Sequence, residues 1–175
     1  MTRQELEHLI RAASVITDDD GIVVIGSQAI LGQFPDAPSG LRVSMEADLF
    51  PMHRPERWDL IDGSIGEGSP FHGTFGYYAQ GVGAETAVLP DGWRERLVPI
   101  RQSGTTATGW ALEIHDLILA KYAAGREKDY EFAREAIRHG LVREDVLLDR
   151  LGSLPVSRQS GAIIERLIRS HVSGR

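Results

Sequence analysis

No cysteine occurs anywhere in the 175 residues. That absence excludes a disulfide framework and any thiolate metal site, and it fits a cytoplasmic protein. Long apolar runs are missing too, so neither a signal peptide nor a membrane-spanning segment is expected. There is no surplus of positive charge: Lys+Arg of 19 against Asp+Glu of 25 gives a formal net charge of −6. A chain so charged offers no broad basic field for DNA, although a local basic strip can still hold a nucleotide or an RNA end. What remains, 42% hydrophobic and 25% charged residues, is ordinary for a soluble globular protein. The length suffices for one domain, or a core with a small extension, that needs no covalent staples.

The stretch from Gly21 to Leu49 organises the rest. Ile22 to Ile25 is a continuous β-branched run, the pattern of a buried strand. Gly26-Ser27 ends it, and Gln28 to Leu31 starts a short helix. A loop rich in Pro, Asp, Ser and Gly follows. The chain returns as Val43-Ser44-Met45-Glu46-Ala47-Asp48-Leu49. Side chains two apart on a strand share a face, so Glu46 and Asp48 project side by side. Val43, Met45, Ala47 and Leu49 are then expected to face the core.

Gly26 permits close approach of a backbone or ligand, and Ser27 stands where a helix start offers unpaired amides and a hydroxyl, a corner that accepts phosphate. Two carboxylates on one face do not both stay ionised cheaply unless a cation joins them. Mg²⁺ or Mn²⁺ suits, because such ions bind through one or two carboxylates together with substrate phosphates. A phosphate corner beside a carboxylate pair points to metal-assisted nucleotidyl transfer.

Gly26-Ser27, a spacer, then Glu46-x-Asp48 resembles the signature of the polymerase-β-like nucleotidyltransferase superfamily. Leu89-Pro90-Asp91-Gly92-Trp93-Arg94-Glu95-Arg96, and His115-Asp116-Leu117 through Ala124-Gly125-Arg126-Glu127-Lys128-Asp129, look like a small bacterial branch of it related to the AbiEii-type toxins. The resemblance runs from about Gly21 to Gly140. It implies an NTP substrate, Mg²⁺, and an acceptor that is an RNA end, a protein or a small molecule. It also implies a possible cognate toxin or antitoxin protein as partner.

Elsewhere, Thr2 to Ile16 has the stripe of an amphipathic helix (Leu6, Leu9, Ile10, Ala13, Ile16), with Thr2 and Glu5 as a capping box. Asp18-Asp19-Asp20-Gly21 is expected to be a solvated turn whose acids point apart. Pro55 to Ile61 suits a short helix, and the glycine-rich stretch from 61 to 73 a mobile loop bordering the cleft. His53 and His72, on either side of that region, are expected at the surface. Strands are expected over Thr74 to Val82, Ala84 to Leu89, Arg96 to Arg101 and Thr105 to Leu112. Four or five strands with segregated helices make an α+β fold. A nucleotidyltransferase core over 1–112 and a helical part over 113–175, packed as one unit, are expected.

The sequence departs from the superfamily at one point. Active members commonly carry a third carboxylate on a later strand, often as general base, although many toxin-like relatives manage with two. Thr74 to Val82 has none: Gln80 stands where one is sought, Glu85 is the nearest acid and Asp91 a more distant one.

Glu113 to His139 is expected to form one long helix capped at Gly140. At about 100° per residue, Lys121 and Lys128 fall on the stripe of Ile114, Leu117, Ile118 and Phe132, with Gly125 between them and Asp129 at its edge. Ammonium groups so placed either snorkel past a core or line a cleft. In the resembled family the pattern Lys121, Arg126, Lys128, Asp129 belongs to the nucleotide-binding region, although Arg126 points away from the stripe and could equally bridge to another element. Arg143 to Arg175 suits two helices broken near Gly152 to Pro155, the last locally basic through Arg158, Arg166, Arg169 and Arg175. That face is either solvated or an RNA-contacting edge.

The expected site therefore has Glu46 and Asp48 as metal ligands, Glu46, Asp48 and Lys121 as catalytic groups, and Gly26, Ser27, Lys121, Arg126, Lys128 and Asp129 around the nucleotide. Its alternatives are a nucleotidyltransferase fold that binds without chemistry, and an interaction domain whose charges merely pair.

Overall fold

The computed structural model describes residues 1–174, so Arg175 lies outside the described residues. The chain opens with helix α1, Arg3–Thr17, and its capping box forms: Thr2 accepts from the Glu5 amide while Glu5 reaches back to the Thr2 amide. Leu6, Leu9, Ile10 and Ala13 are fully buried along its inner stripe. Strand β1, Gly21–Ile25, follows and is buried at every position. A strand without a polar face must be covered on both faces and paired on both edges.

β1 sits at the centre of a five-stranded sheet with β2 (Glu46–Pro51), β3 (Tyr78–Gly81), β4 (Val98–Arg101) and β5 (Thr108–Ala111), in the order β3-β2-β1-β5-β4. β1 runs antiparallel to β2 and parallel to β5; β3 lies parallel to β2, and β4 antiparallel to β5. Helices α2 (Trp58–Ile65) and α3 (Pro70–Phe75) fall between β2 and β3, with α2 against α1 and β3. After β5 come α4 (Ile114–Ala124), α5 (Glu127–Arg138), α6 (Glu144–Leu151) and α7 (Arg158–Ser173). Leu117, Ile118, Ala133, Ile137, Leu147 and Ile168 from these four helices join the same apolar core as the sheet. The fold is α+β, a mixed sheet with flanking helices. Among the described residues, no helix is long and apolar enough to cross a membrane.

Several elements differ from expectation for definable reasons. Val43 and Met45 do not face the core; they are 76% and 57% exposed. The Ser44 hydroxyl closes a turn onto the Glu46 amide (3.0 Å), so the sheet begins only at Glu46. The stretch from 61 to 73 is largely helical. Ile61 and Ile65, one turn apart, both bury and carry α2 to its end, while Ser69 caps α3 with Pro70 in its first turn. Thr74 and Phe75 belong to α3, so the next strand shortens to Tyr78–Gly81. Ala84 to Leu89 makes no strand, only a 3-10 turn over Ala84–Thr86, leaving β3 at the sheet edge.

The aspartate turn is solvated at Asp18 and Asp20, as expected, but not at Asp19. The Asp19 side chain is wholly buried and accepts from the amides of Gly21 (2.9 Å), His53 (2.8 Å) and Arg54 (2.9 Å) and pairs with the His53 ring (2.8 Å). It ties the turn before β1 to the end of β2. The long helix from Glu113 to His139 is two helices. Gly125 adopts φ +70°, donates its amide to the Lys121 carbonyl and ends α4. Arg126 is extended before α5 begins, so the helical phase restarts there. Such a left-handed cap favours glycine.

Candidate functional site: a carboxylate pair facing a lysine across a cavity

The end of β1 and the middle of β2 meet at close range. Gly26 has φ +68°, and a Cβ built on it would lie 1.9 Å from Oδ2 of Asp48. Glycine is therefore required twice over, by conformation and by space. Burial, and next the neighbouring Glu46 carboxylate, push the Asp48 carboxyl up to about 6. Such a displacement marks a carboxylate pair short of positive charge. An oxygen-seeking divalent cation is what the donor set lacks, so the residues present fit Mg²⁺ or Mn²⁺.

Positive charge arrives from α4 instead of from the sheet. The Lys121 ammonium donates to the Ser27 hydroxyl at 2.8 Å and pairs with Oδ1 of Asp129 at 3.1 Å. It lies 5.3 Å from the centre of the Phe132 ring, within cation–π range. Asp129 is fully buried, and its second oxygen accepts from Nε of Arg126 at 2.6 Å. Burial would raise its carboxyl, but Arg126 and Lys121 together hold it below the usual range. The buried acid, clamped by two cations, fixes the Lys121 side chain where it reaches Ser27. Asp129, itself fully buried, lines the adjoining cavity with both oxygens held by these cations.

A cavity of about 940 Å³ opens over these groups. Ser27, Glu46, Asp48, Lys121, Arg126 and Lys128 all face it, so the chain's only two lysines share one cavity. They differ sharply, however. Lys121 is 8% exposed, whereas Lys128 lies on the solvent side of the rim. The expectation that both lysines lie on one core-facing stripe fails for Lys128, because the break at Gly125 resets the helix phase. Gly125 shapes the helix end and is not among the cavity-facing residues.

Strand β3 was the expected source of a third acid. Its register sets Tyr78 beside Glu46 and Gln80 beside Asp48. Gln80 does face the cavity, while Glu85 and Asp91 do not. The Tyr78 hydroxyl donates to Oε2 of Glu46 at 2.9 Å, a contact that sequence reasoning missed. No local signal marks it: Tyr78-x-Gln80 repeats the two-residue spacing of Glu46-x-Asp48, but only the strand pairing makes that a match.

Another acidic cluster, Asp19, Asp20 and His53, has ligand atoms within 4.8 Å of one another. Both Asp19 oxygens already accept two hydrogen bonds each, so that cluster is a structural lock. A third charged group binds α4 to its surroundings. Asp116, fully buried, accepts from Arg96 (2.8 Å) and Arg150 (2.9 Å), while Glu113 pairs with Arg150 and with the His115 ring (2.8 Å). Arg96 and the motif His115-Asp116 thus anchor the helices after β5.

A mixed five-stranded sheet with a Gly-Ser corner set against two carboxylates is compatible with the nucleotidyltransferase palm. The family model described as "Nucleotidyltransferase of unknown function (DUF6036)" matches residues 4–163, and the chain belongs to that family. Neither a curated protein nor a solved structure matches it.

Proposed function

We propose that this chain is a metal-dependent nucleotidyltransferase that moves an NMP from an NTP to an acceptor hydroxyl. The observation that carries the proposal is the facing arrangement across one cavity: Asp48 packed against Gly26, and Lys121 reaching Ser27. Glu46 and Asp48 would hold Mg²⁺, which when bound would neutralise triphosphate charge there. Ser27 and the amides at the start of its turn donate to phosphate oxygens, while Lys121, fixed by Asp129, offsets their charge. Arg126 and Lys128 meet the triphosphate from the rim. The acceptor oxygen bonds to the α-phosphorus as the bond to the bridging oxygen breaks, pyrophosphate leaves with that electron pair, and the hydroxyl proton passes to water. The acceptor is an RNA end, a protein or a small molecule. Kinship with AbiEii-type toxins, and with it a cognate partner protein, belongs to the same proposal.

A second reading draws on one observation, the neutral Gln80 beside Asp48: a nucleotide-binding module without turnover. Thermal melts with each of the four NTPs, with and without Mg²⁺, on wild type and Asp48→Asn, test both. Ligand at about 100 times its dissociation constant stabilises by roughly 2.7 kcal/mol. A Mg²⁺-dependent shift lost in Asp48→Asn, with pyrophosphate release, establishes the enzyme. The same shift without pyrophosphate, across a panel of acceptors, establishes the binding module. No shift with any nucleotide rejects both.

A further inference from the structure

We propose that the carboxylate pair holds a single divalent cation, with Tyr78 as the positioning residue that turns Glu46 toward it. This rests on the nucleotidyltransferase reading and departs from the two-ion, three-carboxylate site common among active members of the superfamily. Three observations carry it. Among the described residues, no third His, Asp or Glu has a ligand atom close enough to join Glu46 and Asp48 as a metal-holding group. The buried acid lining the same cavity, Asp129, has its oxygens taken by Arg126 and Lys121. The strand beside the pair presents two neutral side chains in register, Tyr78 next to Glu46 and Gln80 next to Asp48.

Charge and geometry agree. Two carboxylates balance one divalent ion, and without nucleotide a second ion would lack an anionic ligand of its own. Hard divalent ions demand oxygen ligands in near-ideal positions. The Tyr78 hydroxyl, donating to Oε2 of Glu46, occupies one oxygen and leaves Oε1 for the ion. Outer hydrogen bonds of this kind fix a ligand's orientation, and losing one costs about 10–100-fold in metal affinity. Tyr78 is itself held by the His72 ring, 4.6 Å between centroids.

The test counts Mn²⁺ ions bound per chain by electron paramagnetic resonance, without nucleotide, as the number lost between wild type and Asp48→Asn. That difference removes ions held elsewhere on the surface, the Asp19 turn included. One ion is expected. Two would overturn the single-ion inference and leave the proposed function standing; none would overturn the inference as well, while the NTP melts decide the proposed function separately. Tyr78→Phe should still bind one ion, about 10-fold or more weakly, with its melting temperature in the absence of Mn²⁺ close to that of wild type. An unchanged Mn²⁺ affinity would overturn the role of Tyr78, since a purely structural tyrosine would move the metal-free melt instead. Gln80→Glu restores a third acid next to Asp48 and should raise the count to two. A count remaining at one would show that β3 does not set the limit.

Discussion

Helix α4 carries a buried charge cluster at each end, and the two clusters are built on opposite plans. At its start, Glu113 and Asp116 meet Arg96, Arg150 and His115, so every acid has a basic partner within the protein. At its end, Lys121 and Arg126 both pair with Asp129, yet Glu46 and Asp48 across the cavity form no salt bridge among the described residues and are held by the Tyr78 hydroxyl alone, on Glu46. Buried charges that balance internally lock elements together. Half-buried carboxylates that face a cavity with no bridging cation suit a ligand of opposite charge, because Lys121 and Arg126 act on Asp48 without cancelling its burial and the push from Glu46. The displaced Asp48 carboxyl, at about 6, and the depressed Glu113 carboxyl, at about 2, are the two signatures of that difference.

The sharpest way to break this comparison is to neutralise one acid in each cluster. Asp48→Asn should abolish nucleotidyl transfer, a loss of about a hundredfold or more if the metal no longer binds. Its melting temperature should hold or rise, since a desolvated and repelled charge is removed. Asp116→Ala should do the reverse. It leaves Arg96 and Arg150 without their shared partner, which costs about 3–5 kcal/mol, seen as a lower urea midpoint with Mn²⁺ affinity retained in the folded fraction. If Asp48→Asn unfolded the protein while Asp116→Ala did not, the roles assigned to the two ends of α4 would have to be exchanged.

Gly26→Ala is expected to have the next largest effect, because it strikes stability and site together. The new methyl would need φ +68° and would meet Oδ2 of Asp48 at 1.9 Å. Strained left-handed backbone alone costs of order 1–3 kcal/mol, and moving the carboxylate out of the way disturbs the metal position. Equilibrium melts with and without Mn²⁺ separate the parts: stability should fall and the metal-dependent gain should shrink. A fall in stability with the metal-dependent gain intact would mean that Asp48 has room to move.

How much of this was legible in the residues depends on the range of the contact. The buried strand, the capping box at Thr2 and the shared face of Glu46 and Asp48 follow from spacings of a few residues, and all are present. The break at Gly125 was not legible, because a glycine in a helical pattern is tolerated as often as it terminates, and phase arguments carried across it misplaced Lys128. Tyr78 escaped notice for a different reason. Its role depends on which strand lies beside β2 and in what register, 32 residues away in the chain, and no local pattern encodes that. Asp19 looked like one of three interchangeable turn acids until the fold brought the amides of His53 and Arg54 to it.

The balanced cluster should reveal itself to acid. Burial alone would raise the Glu113 carboxyl, but the His115 and Arg150 side chains overcome it and bring it down to about 2. A group whose folded value lies below its unfolded value, 4.5 for a glutamate here, stabilises fully above that unfolded value. The contribution is lost as pH falls from about 4.5 toward 2. Urea melts at pH 6, 4 and 3 should therefore show wild type losing stability on acidification more steeply than Glu113→Gln, which has no such proton to take up. Parallel slopes would mean that the pairing with Arg150 and His115 contributes nothing net.

The smallest expected effect separates the two lysines of the cavity. Lys128 is exposed at the rim and holds no carboxylate within salt-bridge distance among the described residues, so Lys128→Ala should leave stability within about 0.5 kcal/mol of wild type. Its charge still faces the cavity, where screening by salt reduces it. The prediction is therefore a rise of a few-fold in the NTP concentration at half-saturation, large at low ionic strength and fading above physiological salt. Lys121, shielded between Ser27, Asp129 and the Phe132 ring, is screened far less. The weakening that follows Lys121→Met should persist at high salt. Equal salt dependence for the two variants would place both lysines at the rim and remove the distinction between a buried, clamped cation and a solvated one.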